Sequence, residues 1–575
     1  MKRLFLVMVI FAFLVPAAGG DDFYNSQLNK GIQNSDSYAY LLMGKADQNT
    51  KDALNILNQA RIYSPDLPSI HFNLARKSFS LFGFGFGLGP GSRPGSGLLE
   101  SVDHLVDGFN AYSRNFWWSF TLSGAFYFSF LLSCILSYAV LIAVRLPLDI
   151  PLITHDLQES PERALGLIIL MLLSIISPLC LLAVILLLIG LYMRKTDRNV
   201  VYVFLIFLLF LPLLVATASM YISVPASGTI KAVVQTNELK GNDYAVANLG
   251  KSTGDTERFS YALALKREGF YREAISIYAE LSAKAPDARV LVNLGNCYVG
   301  LYNFDEKNKS NLDDAVKYYN QAISARPLTS AYYNLSQVER ELLEFAKGAE
   351  YFRAALNSDR AAVTRYRSIS DRQVNRFVID EMLSISEQWE YATRKAKRGY
   401  TFGLTILPPP IISLIAAALL AVFFILPDRL GHIAYRCRKC GNVLCNHCER
   451  ELVIGQICSQ CYGSLLKLAE LDVKERVARI LSIYDAQNKR RDILKVLSFI
   501  LPGTSHIYAG KILFGLLMLW PFLFCLVFPF VSAFFFPGSI LIKHTVVSLA
   551  MAVLAFFIYG ISNSITRRGI AKGWL

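Results

Sequence analysis

Six of the ten cysteines fall between Tyr435 and Gly463, in YRCRKCGNVLCNHCERELVIGQICSQCYG, as three CxxC pairs. A CxxC can form a knuckle whose two thiolates take one side of a tetrahedral zinc, and two knuckles close the site. The outer pairs, Cys437 with Cys440 and Cys458 with Cys461, are separated by 17 residues, an interval suited to two knuckles sharing one ion. They are the expected ligands of a structural zinc, because a saturated four-thiolate site leaves no position for a reacting water. Cys445 and Cys448 are candidates for a second ion, with His432 and His447 nearby, or for a redox pair, although no thioredoxin-like βαβ pattern surrounds them. Cys134, Cys180, Cys297 and Cys525 are isolated and suggest no further site.

The chain that positions these cysteines has 575 residues, is 53% hydrophobic and has a mean hydropathy of +0.37, too apolar for a soluble multidomain protein. Its formal charge of +14 fits membrane flanks, where Lys and Arg fix orientation and meet anionic lipid, so no nucleic-acid partner is expected. The opening MKRLFLVMVIFAFLVPAAGG has a basic start, a short apolar run and small residues, and 1–20 reads as a signal peptide. Apolar runs near 116–144, 165–193, 200–223, 402–426, 512–536 and 545–562 each reach the roughly 20 residues needed to cross about 30 Å of hydrocarbon. Six spans are therefore expected, three of them within 116–223, where Phe116, Trp117 and Trp118 supply interfacial aromatics. Prolines 408 to 410 make 401–427 a transmembrane or re-entrant helix. RLPLDIPLITHDLQESPERA reads as a water-exposed loop, 83–115 as a Gly/Pro-rich linker and pre-membrane segment, and 466–492 as an amphipathic interfacial helix.

Outside the membrane the expected fold class is all-α, and one register recurs. Ala274, Tyr278, Leu281 and Pro286 stand at offsets 0, 4, 7 and 12; Ala315, Tyr319, Ala322 and Pro327 repeat them, as do Ala53, Leu57, Ala60 and Pro65. A small Ala lets two helices approach, a larger residue one turn later fills the gap, and Pro starts the next unit. This register resembles the second half of a tetratricopeptide repeat (TPR), and Gly295 and Tyr298 fit the helix before it. The resemblance implies a TPR domain over 224–400 and a TPR-like helical module over 21–82. Stacked helix pairs of this kind form a concave groove for a peptide or a partner's helix and carry no catalytic apparatus of their own. On the family pattern Asn293, Asn296 and Asn334 line that groove, where an Asn can clamp a peptide backbone.

The string CRKCGNVLCNHC with its later CxxC resembles a FYVE-type treble-clef zinc finger, here over 428–465, in which the first and last of these pairs share a zinc. The upstream CxxC and the basic lead that reads phosphoinositide are missing, so the resemblance implies a metal fold without that ligand. LPGTSHIYAGKILFGLL, with Pro502, Gly503, Tyr508, Gly510 and Gly515, is similar to the signature of two-span bacterial modules of the TM2 type, except that Ser505 replaces a Gly. It implies a transmembrane hairpin over 493–575, with His506, Tyr508 and Lys511 at headgroup level.

No P-loop, GxSxG, HExxH or dinucleotide fingerprint occurs, and neither an enzymatic activity nor a small-molecule substrate is expected. The reading is a bacterial inner-membrane scaffold: TPR modules bind protein partners, while the zinc finger and hairpin meet lipid. Two others stay open: a membrane enzyme or lipid-handling protein with its site among the spans, near His155, Asp156 and Glu159, and a redox sensor using Cys445 and Cys448. An exported N-terminus places the first module in the periplasm, and three spans then place the central repeats in the cytoplasm. The basic RKAKR at 394–398 agrees with cytoplasmic repeats, but a fourth span would return the cysteines to the oxidising side, against their basic flanks and reduced thiolates. The preferred arrangement therefore makes 401–427 re-entrant, with central repeats, finger and tail all facing the cytoplasm.

Overall fold

The structure, a computed structural model, describes residues 20–48, 52–83, 96–159, 178–304, 308–370, 378–399, 407–429, 434–437, 439–444, 457–459, 461–462, 473–534 and 543–572. The signal peptide, the Gly/Pro-rich stretch at 84–95, and Cys445 and Cys448 lie outside them.

The described architecture is helical apart from one short strand pair. The chain opens on α1 (Gly20–Asn29), α2 (Asp36–Gln48), α3 (Ala53–Tyr63), α4 (Pro68–Gly83) and α5 (Ser96–Tyr112). Then come α6 (Phe116–Glu159), α7 (Pro178–Leu191), α8 (Asn199–Leu209) and α9 (Leu211–Ala226). The central run begins with α10 (Gly228–Asn237), α11 (Asp243–Leu249), α12 (Asp255–Arg267), α13 (Tyr271–Lys284) and α14 (Ala288–Phe304). It continues through α15 (Ser310–Ala325), α16 (Thr329–Glu341), α17 (Phe345–Ser358), α18 (Arg360–Ser370) and α19 (Ile385–Lys395). The remainder holds α20 (Pro409–Arg429), β1 (Tyr435–Arg436), β2 (Val443–Leu444), α21 (Val473–Ile500), α22 (Thr504–Tyr508), α23 (Ile512–Phe534) and α24 (Thr545–Ala571).

These elements form two compact units. One holds the chain up to Phe120 together with Ile222–Ala396, and the other holds Thr121–Tyr221 and the chain from Lys397 onward.

In the first unit each helix from α12 to α17 packs on the next. Ala274, Tyr278 and Leu281 are buried, and so are Ala315, Tyr319 and Ala322. A Cβ on Gly295 would lie 2.6 Å from the Tyr319 ring, so the absence of a side chain there lets α14 and α15 close. Ala53, Leu57 and Ala60 are likewise buried in α3. Part of the segment read as linker is helix: α5 packs on α4, with Ser101 Oγ donating to the Ala75 carbonyl at 2.9 Å and Gly108 against Phe72. The N-terminal and central modules also share backbone bonds, the amides of Gln33 and Asn34 both donating to Leu239 O at 3.0 and 3.1 Å. Expected on opposite sides of a membrane, they belong to one folded unit and so lie on the same side.

Among the described residues, three helices are long and apolar enough to cross a membrane, α6 over Phe116–Asp156, α23 and α24, which fits a membrane protein. The run at 200–223 forms the pair α8 and α9, bent by 58°, while α7 and the apolar part of α20 are shorter. The runs at 165–193 and 402–426 lie partly outside the described residues. The predicted loop after the first span is helix instead: α6 runs through Pro147 and Pro151 to Glu159. An Arg145–Asp149 ion pair at 2.8 Å, one turn apart, bridges the position of Pro147. Leu141, Leu186, Phe204, Phe423, Ile507 and Leu519 meet in the core of this second unit, while Phe556 and Phe557 stay exposed. The helix predicted over 466–492 runs past its C-terminal bound, α21 continuing unbroken from Val473 to Ile500. It ends before Gly503, whose φ of +82° makes the turn and where a Cβ would lie 2.1 Å from Gly515 O.

Candidate peptide clamp and metal centre

Three helices of the repeat region present asparagines to one extended segment of the same chain, Val378–Leu383. The Ile379 amide donates to Asn334 Oδ1 at 2.7 Å, that of Glu381 to Asn293 Oδ1 at 2.9 Å, and that of Leu383 to Asn237 Oδ1 at 2.8 Å. The acceptors recur at every second residue, the period of an extended strand, so side-chain amides stand where a neighbouring strand would pair. The returning bonds complete the ladder: Asn293 Nδ2 to Glu381 O at 2.8 Å, and Asn296 and Asn334 Nδ2 both to Ile379 O at 2.8 Å. Asn293, Asn296 and Asn334 are fully buried. The three are held in turn by Tyr319 OH on Asn296 Oδ1 at 2.7 Å, Asn334 Nδ2 on the same atom at 2.9 Å, and Asn293 Nδ2 on Tyr278 OH at 3.3 Å. The aromatic of the recurring register therefore fills the interhelical gap and also orients the clamp.

Charge fixes the register of this strap. Asp380 pairs with Lys266 and with Arg267, whose Nε lies 3.1 Å from Oδ2, and Asn296 Nδ2 adds a bond to Oδ1 at 3.0 Å. All three ionic side chains are buried, so each depends on the others for solvation lost to the interior. The next residue, Glu381, has its carboxyl pushed up by burial, against the Ser330 hydroxyl donated to it and the attraction of Arg289. A cavity of about 440 Å³ opens beside the strap, lined by Asn34, Arg114, Glu238 and Tyr366 among others.

In the second unit Cys437, Cys440, Cys458 and Cys461 bring their sulfurs within 4.8 Å of one another. β1 pairs antiparallel with β2, and the turn between them carries the first CxxC, with Gly441 at φ +84° and its amide donating to Cys437 O at 3.0 Å. The Cys440 and Cys458 sulfurs are 3.7 Å apart, too far for a disulfide and close to the edge of about 3.8 Å of a thiolate tetrahedron around an ion at about 2.3 Å. Backbone amides converge on them: Cys458 N–H donates to Cys437 Sγ at 3.4 Å and Cys461 N–H to Cys458 Sγ at 3.3 Å. Burial alone would push the Cys437 thiol up, but the amides of Cys440, Cys458 and Lys439 hold it down to about 7. Burial pushes Cys458 up to about 11. Ile483 of α21 closes the apolar side. This donor set can hold a metal ion. No protein-family model matches this chain, and no curated protein matches it in sequence.

The sequence-predicted residues thus fall into two places, the outer cysteines together and the three asparagines together. His506 is buried against Phe514, with ring centroids 4.9 Å apart. Asp156 is also structural, accepting from the Ala434 amide at 3.1 Å and from Tyr192 OH at 2.8 Å. The strap and its partners Asn237, Lys266 and Arg267 were missed. Their one signal is VIDEML, an apolar stretch with paired acids lying between helical segments.

Proposed function

We propose that this protein is a scaffold of tetratricopeptide type anchored in a bacterial inner membrane, whose repeat region clamps extended acidic peptide segments of protein partners. The asparagine clamp on Ile379–Leu383 carries the reading. Its bonds go to backbone groups that any extended peptide possesses, and the Lys266–Arg267 pair selects an acid at one position. In the resting chain the strap occupies the clamp, so a partner segment engages by displacing it. Zinc at Cys437, Cys440, Cys458 and Cys461 is structural in this reading: bound, it cross-links the β1–β2 turn to the following knuckle and supplies no reaction chemistry.

The test uses the full chain in detergent carrying Asp380→Ala, which weakens the strap and leaves the two cations to be satisfied. A labelled peptide VIDEML binds this variant, and its counterpart VINEML binds at least about tenfold more weakly, since losing one charge-assisted pair costs roughly 1.5–3 kcal/mol. Equal binding of the two peptides, or none of either, overturns the clamp as a recognition site.

A further inference from the structure

A second group of ligating side chains lies in the first unit, outside both sites described above. His71 stands in the first turn of α4, and His104 and Asp107 stand three residues apart on one face of α5. The two helices pack with Phe72 edge-on to Phe109 at 5.3 Å, which sets the three residues level with one another. Each offers one ligand atom, and the three atoms lie within 4.8 Å of one another.

The hydrogen bonding of the histidines separates a metal site from an ordinary buried imidazole pair. His71 is 5% exposed, and its Nε2 lies 3.0 Å from the Pro65 carbonyl. A carbonyl only accepts, so Nε2 carries the proton and Nδ1 presents a bare lone pair. That Nδ1 is buried and has no hydrogen-bond partner, and the same holds for His104 Nδ1. Buried polar atoms are nearly always paired, so two orphaned imidazole nitrogens beside a carboxylate make a donor set of defined chemistry. A proton suits this set poorly, since it satisfies one lone pair at a time. A cation that accepts from both nitrogens and from the carboxylate satisfies all three.

We infer that His71, His104 and Asp107 form a site for a borderline divalent cation such as zinc. Two neutral imidazoles and a carboxylate suit such an ion, and the Pro65 carbonyl on the far nitrogen of His71 is the outer-shell contact that orients a ligating histidine. Asp107 is exposed, which gives the ion a route in and leaves a position for water or for a ligand from a partner. The site clips α4 to α5 across the Gly/Pro-rich stretch that joins them. Its nitrogen and oxygen donors make it unlike the thiolate cluster, and it does not depend on that cluster or on the peptide clamp.

The experiment is zinc stoichiometry on the purified full chain, equilibrated with zinc and desalted, for the wild type, His104→Ala and Asp107→Asn. The wild type retains one further zinc than His104→Ala, and Asp107→Asn weakens that ion by at least about 10–100-fold. Cobalt gives an independent readout, because a nitrogen–oxygen site lacks the sulfur charge-transfer bands of a thiolate site and its weaker absorption vanishes in both variants. Asp107→Asn alters an exposed side chain and reports even if His104→Ala fails to fold. Equal zinc content across the three proteins overturns the proposal, whatever the cysteines hold.

Discussion

Asn296 illustrates how one side chain joins the interior of the repeat region to the strap. Its amide donates to Ile379 O and Asp380 Oδ1, and its oxygen accepts from Tyr319 OH and Asn334 Nδ2, all with the residue fully buried. Asn296→Ala strands several of these partners at once, each buried unsatisfied group costing about 1–3 kcal/mol. Because Asn334 and Asn293 still hold the strap, the net loss is placed at about 3 kcal/mol for strap closure. Hydrogen exchange on the full chain then shows the Ile379 and Glu381 amides exchanging about 100-fold faster, with α3 unchanged. Unaltered exchange at those amides would mean that the clamp is not what holds the strap. The asparagines were legible in the sequence because they sit on the inner helices of a register that repeats. What they grip was not, because bonds from Asn293 to Glu381 span 88 residues and leave no local periodicity.

At the scale of elements, the cysteine knuckle shows what short strands cannot do unaided. β1 and β2 contribute two residues each, and an isolated hairpin is marginal even at greater length. The turn is held by the converging sulfurs and by Ile483 of α21, so thiol cluster, turn and helix stand together. Stripping the metal with a chelator should make four thiols reactive that were protected, and should raise hydrogen exchange in α21 around Ile483 while leaving the strap unchanged. Thiol reactivity indifferent to chelator would count against a bound ion. The CxxC spacing made this centre legible from the sequence alone. The continuation of α6 through Pro147 and Pro151 was not legible, since proline normally marks a boundary and the Arg145–Asp149 pair that spans the first break shows itself only once the helix exists.

At the scale of the whole molecule, the conflict between export, charge and reduced thiols becomes a testable expectation within the second unit. Several of its cations gather at one end. Arg194, Lys511, Arg568 and Lys572 line a common cavity of about 620 Å³, Asp197 accepts from the Leu513 amide at 3.0 Å, and Arg436 donates to Leu148 O at 2.7 Å. Asp156 binds both Tyr192 and Ala434, so the chain is back at this end at residue 192, and the cysteine segment begins there as well. The other end, about 50 Å along α6 at 1.5 Å per residue, joins Thr121 to His544 at 3.1 Å and Ser123 to Tyr221 at 3.2 Å. The bent pair α8 and α9 starts near the basic end and reaches the far end at Tyr221, as a broken span would. By the positive-inside rule the basic end and the cysteines are expected in the cytoplasm, and an exported start, with both repeat modules in one folded unit, is expected to leave those modules outside. A periplasm-active reporter fused after Arg394 should be active, one fused after Lys572 inactive, and membrane-impermeant thiol reagents should leave Cys437 unlabelled in intact cells. A silent reporter after Arg394, or labelling of Cys437 from outside, would reverse the orientation and move the search for clamp ligands from the periplasm to the cytosol.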